Sequence, residues 1–100
     1  MIERTRGWQI SEFDSIERVG SQVSCELDGE TIILGLADGI YYGLDPVGTR
    51  IWEILQERKT LNEIRDILLE EFDVEADVCM RELKELLQDL LVKGLIEVVP

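Results

Sequence analysis

The sequence predicts an α+β domain in which a three-stranded antiparallel sheet is followed by three helices. Two Asp-Gly pairs, at positions 28–29 and 38–39, each separate apolar runs. Asp-Gly between such runs is a strong hairpin signal. Further along the chain, helix-start and helix-stop residues bound three segments with the apolar spacing of amphipathic helices. One hundred residues are enough for one domain with a modest core.

The predicted strands cover residues 22–27, 30–36 and 40–44. A two-residue turn at Asp28-Gly29 pairs Leu27 with Glu30 and places the apolar side chains of the first two strands on one face. These side chains are Val23, Cys25, Leu27, Ile32, Leu34 and Leu36.

The second turn decides which side chains the third strand adds to this face. A two-residue turn at Asp38-Gly39 would add Tyr41 and Gly43 and turn Ile40, Tyr42 and Leu44 away. We therefore predict a three-residue loop, 37–39, with Gly39 in the left-handed conformation. This loop adds Ile40, Tyr42 and Leu44 to the apolar face instead.

The first predicted helix begins after Asp45, a natural N-cap that is followed by proline at the first helical position. It extends to about Gln56 and should bury Val47, Ile51, Ile54 and Leu55. The second begins with a capping box formed by Thr60 and Glu63 and extends to about Glu71. Its apolar stripe consists of Leu61, Ile64, Ile67, Leu68 and Phe72.

The third predicted helix extends from about Glu75 to Lys93 and ends at Gly94, a favourable C-terminal cap. Residues 95–99 are predicted to form a short strand or an extended tail. A sheet followed by three helices with short connections resembles a winged helix-turn-helix.

The N-terminal residues 1–18 are weakly patterned, with Trp8, Ile10 and Phe13 loosely alternating with polar residues. We expect a flexible or partly ordered arm here, either a strand or a segment that orders on a partner, and a domain over residues 19–100. The first residues lack the apolar stretch of a signal peptide, and no segment has the roughly 18 to 20 apolar residues of a membrane span. A cytoplasmic location is therefore expected.

The net charge of −12, from 10 basic and 22 acidic residues, excludes several classes of partner. A nucleic-acid-binding protein must neutralise phosphates, and an anionic membrane surface also attracts basic residues. Neither nucleic acid nor a membrane is therefore expected as a partner.

Catalytic and metal sites are not predicted either. The chain has no histidine, which excludes Ser-His-Asp and Cys-His arrangements. Two isolated cysteines without histidine do not form an ordinary zinc site, so Cys25 and Cys79 are expected to be small buried side chains. Carboxylates are plentiful, as a glycosidase requires, but those on the helices occupy solvent-facing positions. We expect no enzyme activity, metal or cofactor.

The third helix is apolar over a wider arc than one core contact requires. Cys79, Leu83, Leu86 and Leu90 form its core face at about 100° per residue, and Met80, Leu87 and Leu91 extend the arc toward Arg81 and Lys84. In one interpretation, these extra apolar residues pack on another helix of the domain. In the other, they line a groove for an apolar peptide segment, and Arg81 and Lys84 bind acidic residues of that peptide.

The third predicted strand is an edge, and it has no charge or proline between Ile40 and Leu44 to block pairing. Its two tyrosines provide a large amphipathic contact area. The edge is either covered by the N-terminal arm or available for strand addition by a partner peptide.

Four segments follow one another along the chain: YYGLDPVGTRIWEIL, the T-x-x-E-I-R-D-I-L helix start, an F-D-V step and a helix ending in LLVKGLI. In this order they resemble the RiPP recognition element, the family typified by the pyrroloquinoline quinone biosynthesis protein D. The resemblance covers about residues 23–98. The family's strand-to-helix junction is usually Leu-Asn followed by a glycine three residues later. Here the junction is Leu44-Asp45 followed by Gly48, and aspartate serves equally well as an N-cap.

Within this family, the chain looks most similar to the stand-alone leader-binding proteins of split lasso-peptide systems. The resemblance implies that the precursor's leader peptide adds to the third strand, packs on the third helix and is presented to a separate cysteine-protease-like leader peptidase and to a cyclase. The implied leader-binding residues are Ile40, Tyr41, Tyr42, Gly43, Leu44, Met80, Arg81, Lys84, Leu87 and Leu91.

Two alternatives remain at this stage. One is a recognition chaperone for another RiPP-modifying enzyme, such as a radical-SAM maturase. The other is a winged-helix DNA-binding regulator, which the five carboxylates of the third helix, between Glu75 and Asp89, strongly disfavour.

Overall fold

The computed structural model describes residues 10–20 and 22–99, in which three helices accompany two three-stranded antiparallel sheets. The predicted α+β class, resembling a winged helix-turn-helix, is confirmed, with a second small sheet added to it. In chain order the elements are β1 (Ser15–Arg18), β2 (Gln22–Leu27), β3 (Glu30–Gly35), β4 (Tyr41–Leu44), α1 (Pro46–Ile54), β5 (Lys59–Thr60), α2 (Leu61–Glu71), α3 (Ala76–Val92) and β6 (Ile96–Val99).

The first hairpin of the β2-β3-β4 sheet forms as predicted. Leu27 pairs with Glu30, and Asp28 and Gly29 both have positive φ, as a type I′ turn requires. The second hairpin differs from the prediction. Its loop has four residues, 36–39, because Leu34 pairs with Tyr41 and the Gly35 N–H donates to the Ile40 carbonyl at 3.0 Å. Gly39 does adopt the predicted left-handed conformation, with φ of 72°.

The helices cover the face of this sheet opposite to the predicted one. Thr31, Ile33 and Leu44 are buried and Tyr42 is half-buried on the helix-facing side. The predicted apolar face, with Val23, Cys25, Leu27 and Ile32, is exposed, and Ile40 lies outside β4 and is also exposed. The one-residue error in the loop length caused part of this error, because one residue of register exchanges the faces of a strand.

The second sheet has the order β5-β1-β6, with β1 in the centre. Ile16 of β1 is fully buried and pairs with Lys59 and Val98, so the chain joins this core before residue 19. The division at residue 18 into arm and domain remains a prediction. Trp8 and the rest of residues 1–9 lie outside the described residues.

Helix α1 is fixed at both ends. At its start, the Asp45 carboxylate accepts the Gly48 N–H at 2.8 Å, which is the predicted N-cap. In its last turn, the Trp52 carbonyl accepts the Arg18 guanidinium, which also lies 4.2 Å from the centre of the Trp52 ring. Trp52 is buried, and its Nε1 donates to Ser24 Oγ at 3.2 Å, which ties the helix to β2.

Helices α2 and α3 have the predicted caps. Thr60 and Glu63 form the reciprocal capping box. At the end of α3, the N–H groups of Gly94 and Leu95 donate to the carbonyls of Leu91 and Leu90, which is the Schellman pattern. Most of the predicted stripes are buried, but Val47 and Phe72 are exposed because both lie at helix ends, beside an open crevice.

Candidate functional site

The open edge of β4 is the first half of the candidate site. β4 is the last strand of its sheet, and no strand among residues 10–20 and 22–99 pairs with its far side. The Gly35 N–H donates to the Ile40 carbonyl, and hydrogen-bonded positions alternate with non-bonded ones along an antiparallel ladder. The N–H and C=O groups of Tyr41 and Gly43 therefore point away from β3, toward the open edge.

The side chains of β4 alternate in the same way. Tyr42 and Leu44 point toward the helices, whereas Tyr41 is exposed on the outer face of the sheet. The ring of Tyr42 lies 5.4 Å from Lys93 Nζ, within the range of a cation–π contact. Partial burial raises the pKa of Tyr42, and the carboxylates of Asp89 and Asp45 raise it further.

Two hollows lie along the side of β4 that faces α3. The first is a cavity of about 240 Å³ lined by residues that include Ile40, Tyr42 and Lys93. The second is a crevice of about 440 Å³ that extends from Asp45 to Leu86 of α3. From the first hollow to the second, the chain advances from Tyr42 to Asp45 but goes back from Lys93 to Leu86, about 10 Å in each case, so strand and helix run antiparallel. We name the two hollows together the β4–α3 groove.

The crevice is mainly apolar and is lined by residues of all three helices. Val47 and Leu83 belong to α1 and α3, and Phe72 follows the end of α2. The complete lining is Asp45, Val47, Gly48, Ile51, Leu68, Phe72, Asp73, Val74, Cys79, Glu82, Leu83 and Leu86. Such a crevice suits apolar side chains of a bound peptide.

The structure does not bring the predicted residues of α3 to this groove. Lys84 lies nine positions before Lys93, which places the two side chains about 180° apart on the helix. Met80 and Leu91 lie on the same side as Lys84 and pack partly buried against the core, and Leu87 is completely buried. Arg81 is exposed and also lies outside the flank that faces β4. Met80, Leu87 and Leu91 therefore pack within the domain in this structure.

The α3 residues that do flank β4 are Leu86, Asp89 and Lys93, with Glu82 at the crevice. Sequence reasoning missed them because it searched for an apolar flank, and this flank is mostly charged. One feature of the sequence could have indicated this flank: Asp89, Lys93 and Glu82 share one side of the helix. Val47 and Phe72 could have been assigned to the crevice because they are apolar residues at helix ends.

The groove is acidic, contrary to the predicted basic pair. Asp38 and Asp45 lie along the strand side and Glu82 and Asp89 along the helix side, with Lys93 among them. Of the two cysteines, Cys79 is buried as predicted and its burial raises the thiol pKa, but Cys25 is exposed, contrary to prediction. Within the described part of the chain, no cluster of His, Cys, Asp or Glu could hold a metal ion, and no helix there is long and apolar enough to cross a membrane.

An open strand edge beside a helix-lined groove is the geometry with which strand-adding domains bind extended peptides. The chain belongs to the coenzyme PQQ synthesis protein D (PqqD) family, whose model matches residues 30–96. No curated protein matches the sequence.

Two solved structures are similar to this chain. One is TbiB1 in complex with the TbiA(beta) leader peptide, with 38% sequence identity and a TM-score of 0.76 over 81% of this chain and 94% of the other. The second is a lasso peptide synthetase B1 complexed with the leader peptide, with 19% identity and a TM-score of 0.72 over 90% of this chain and 100% of the other. The second likeness concerns the fold alone.

Proposed function

We propose that this chain binds the leader peptide of a ribosomally synthesised precursor, of the lasso-peptide type, as an added strand on β4. The observation that carries the proposal is the outward-pointing backbone of Tyr41 and Gly43 beside the β4–α3 groove. TbiB1, which is 38% identical to this chain, is known in complex with the TbiA(beta) leader peptide.

In the proposed complex, the leader backbone exchanges hydrogen bonds with Tyr41 and Gly43, which gives affinity with little sequence preference. Successive leader side chains alternate between the two faces of the extended sheet. Those on the helix-facing side lie next to Tyr42 and Leu44 and extend into the groove, where Leu86 and the crevice supply apolar contacts.

The charge of the groove adds to this selectivity. The carboxylates of Asp38, Asp45 and Glu82 line the groove, and that of Asp89 lies close enough to raise the pKa of Tyr42. Basic leader residues next to the apolar anchors therefore complement it, whereas an acidic leader residue must contact Lys93. That Arg81 and Lys84 bind acidic leader residues remains a separate prediction, for a leader segment that reaches the other flank of α3.

We further propose that the chain presents the bound leader to a separate cysteine-protease-like leader peptidase and to a cyclase, and that it does not catalyse either step. The sequence contains no histidine to activate a nucleophile. The chain alone should therefore leave the precursor uncut, and cleavage above the buffer rate that survives substitution of both cysteines would contradict this proposal.

A titration tests the binding proposal. The probe is the fluorescein-labelled leader of the precursor encoded beside this chain, and a scrambled leader is the control. Saturable binding at one leader per chain is expected, with much weaker binding of the scrambled peptide, which keeps the backbone bonds but loses the matched side chains.

Amide hydrogen exchange then tests the binding mode. The leader should slow exchange at Tyr41 and Gly43, whose amides point to the open edge. It should change Tyr42 and Leu44 less, since their amides already bond to β3. Saturable binding without protection at Tyr41 and Gly43 would place the leader elsewhere, and absence of binding would contradict the function itself.

A further inference from the structure

The outer face of the β2-β3-β4 sheet is an apolar surface that the helices do not cover. Its central side chains are Val23, Cys25, Leu27, Ile32, Leu34 and Tyr41, which the register places on one side. Val23 and Ile32 are each 51% exposed, and Leu27 and Tyr41 are each 69% exposed. Contiguous exposed apolar side chains on a small protein mark an interaction surface more often than scattered ones do.

The charges around the outer face select the kind of partner. Residues 22–45 contain five carboxylates and no lysine or arginine. Asp28, Glu30 and Asp38 are exposed at the two hairpin ends of the face. A second copy would bring like charges together, and each copy carries a net charge of −12. The complementary surface is apolar in its centre and bordered by lysine or arginine.

The position of the outer face connects it with the leader. Tyr41 belongs to this face through its side chain and to the open edge through its backbone. Next to it, a hollow of about 400 Å³ lies between Leu27, Ile32 and Gly43. The hollow is open at Gly43, where a Cβ would meet no atom within 4 Å. A protein that docks on the outer face and fills this hollow therefore lies directly beside a strand added to β4.

We infer that the outer face is the docking surface for a separate protein that acts on the bound leader and presents apolar side chains bordered by basic ones. The inference rests on the proposed function, because it identifies this partner with the leader peptidase. It assigns the two sides of β4 to different tasks: the groove and edge bind the leader, and the outer face binds the peptidase.

The test uses two variants of the full chain and the purified peptidase. Val23→Thr/Leu27→Thr removes apolar contact area on β2, the strand farthest from the leader edge, and places threonine, a β-branched residue that suits a strand, at both positions. Phe13→Ser is the control, since Phe13 is 82% exposed and lies outside this sheet. The double variant should weaken peptidase binding about tenfold or more, as loss of central interface side chains does. It should not change leader affinity, and Phe13→Ser should change neither.

The native cysteines provide a second readout. Cys25 lies on the outer face and is exposed, whereas Cys79 is buried and serves as the internal reference. The peptidase should slow alkylation of Cys25 by N-ethylmaleimide, and the leader alone should not.

Three results would overturn the inference. They are wild-type peptidase affinity in the double variant, unchanged Cys25 alkylation in the presence of the peptidase, and a concentration-dependent dimer in sedimentation that the double variant abolishes. Failure of the leader to bind would contradict the proposed function instead, because leader binding and peptidase binding are measured separately.

Discussion

Replacing Gly43 with proline should weaken strand addition while leaving the fold intact. The Gly43 N–H points to the open edge, so β3 does not lose a hydrogen bond. Proline is tolerated at such edge positions. It also requires an extended residue before it, and Tyr42 is such a residue. A Cβ at position 43 meets no atom within 4 Å. The matched control is Gly43→Ala, which adds a Cβ but keeps the N–H group.

The size of the effect follows from the bonds that are lost. A backbone hydrogen bond contributes about 0.5–1.5 kcal/mol net. Proline removes one donor, and its ring also holds the added strand away from the neighbouring bond at Tyr41. A loss of about 1–3 kcal/mol is expected, which is roughly 5- to 150-fold in the dissociation constant. Gly43→Ala should bind the leader nearly as tightly as the native chain.

Fluorescence anisotropy with the labelled leader measures both affinities, and thermal melting followed by circular dichroism checks folding. The proline and alanine variants should melt within a few degrees of each other. Tyr42→Pro should melt lower, because the Tyr42 N–H belongs to the ladder with Ile33. If folded Gly43→Pro binds the leader as tightly as Gly43→Ala does, the outward edge of β4 is not the binding edge.

Three further substitutions test the groove, the core and one charge pair. Leu86→Ala should weaken leader binding about tenfold. Its control is Leu91→Ala, because Leu91 is also half-buried but lies on the opposite flank of α3. The control should lower the melting temperature by a similar amount without loss of leader affinity. Leu83→Asp should abolish the cooperative melt, because an unpaired buried charge costs several kcal/mol, comparable to the whole stability of a small domain. The pKa of Glu26 is raised, first by its hydrogen bond with the Glu53 carboxyl and then by desolvation. The native pair therefore loses stability as the pH rises above the ordinary Glu26 value of 4.5, so Glu26→Gln should raise the melting temperature at pH 7 and lose that advantage near pH 4.

Local signals in the sequence predicted most of the elements. The turn at Asp28-Gly29, the cap at Asp45, the capping box at Thr60 and the stop at Gly94 each depend on a few neighbouring residues. Such signals fix where an element begins or ends, since the bonds that they make lie within the same segment.

The second sheet could not be predicted in this way. Ile16 pairs with Lys59 and Val98, which lie 43 and 82 positions further along the chain. β5 has only two residues, too few to show any period. The burial of Ile16 therefore results from long-range pairing, which leaves little trace in the pattern around it.

The helical pattern of α3 fixed the relative angles of its side chains but not the direction in which each flank points. The pattern leaves internal packing and peptide binding open for the apolar flank with Met80 and Leu91, and the family resemblance implies the contact with the peptide. In the structure, that flank packs against the core, and the charged flank with Asp89 and Lys93 lies beside Tyr42. A wide apolar arc therefore indicates extensive internal packing at least as readily as a binding surface.

The two adjacent tyrosines show what the loop between β3 and β4 decides. A four-residue loop has the same parity as the rejected two-residue turn, so Tyr41 joins the exposed outer face and Tyr42 faces the helices. The backbone groups alternate with the side chains, and the outward N–H and C=O therefore belong to Tyr41 and not to Tyr42. In the proposed complex, Tyr41 offers the leader its backbone and the docking partner its ring, whereas the ring of Tyr42 lines the groove and its backbone holds β4 on β3. A loop one residue shorter would reverse both assignments, so the length of this loop determines which tyrosine serves which partner.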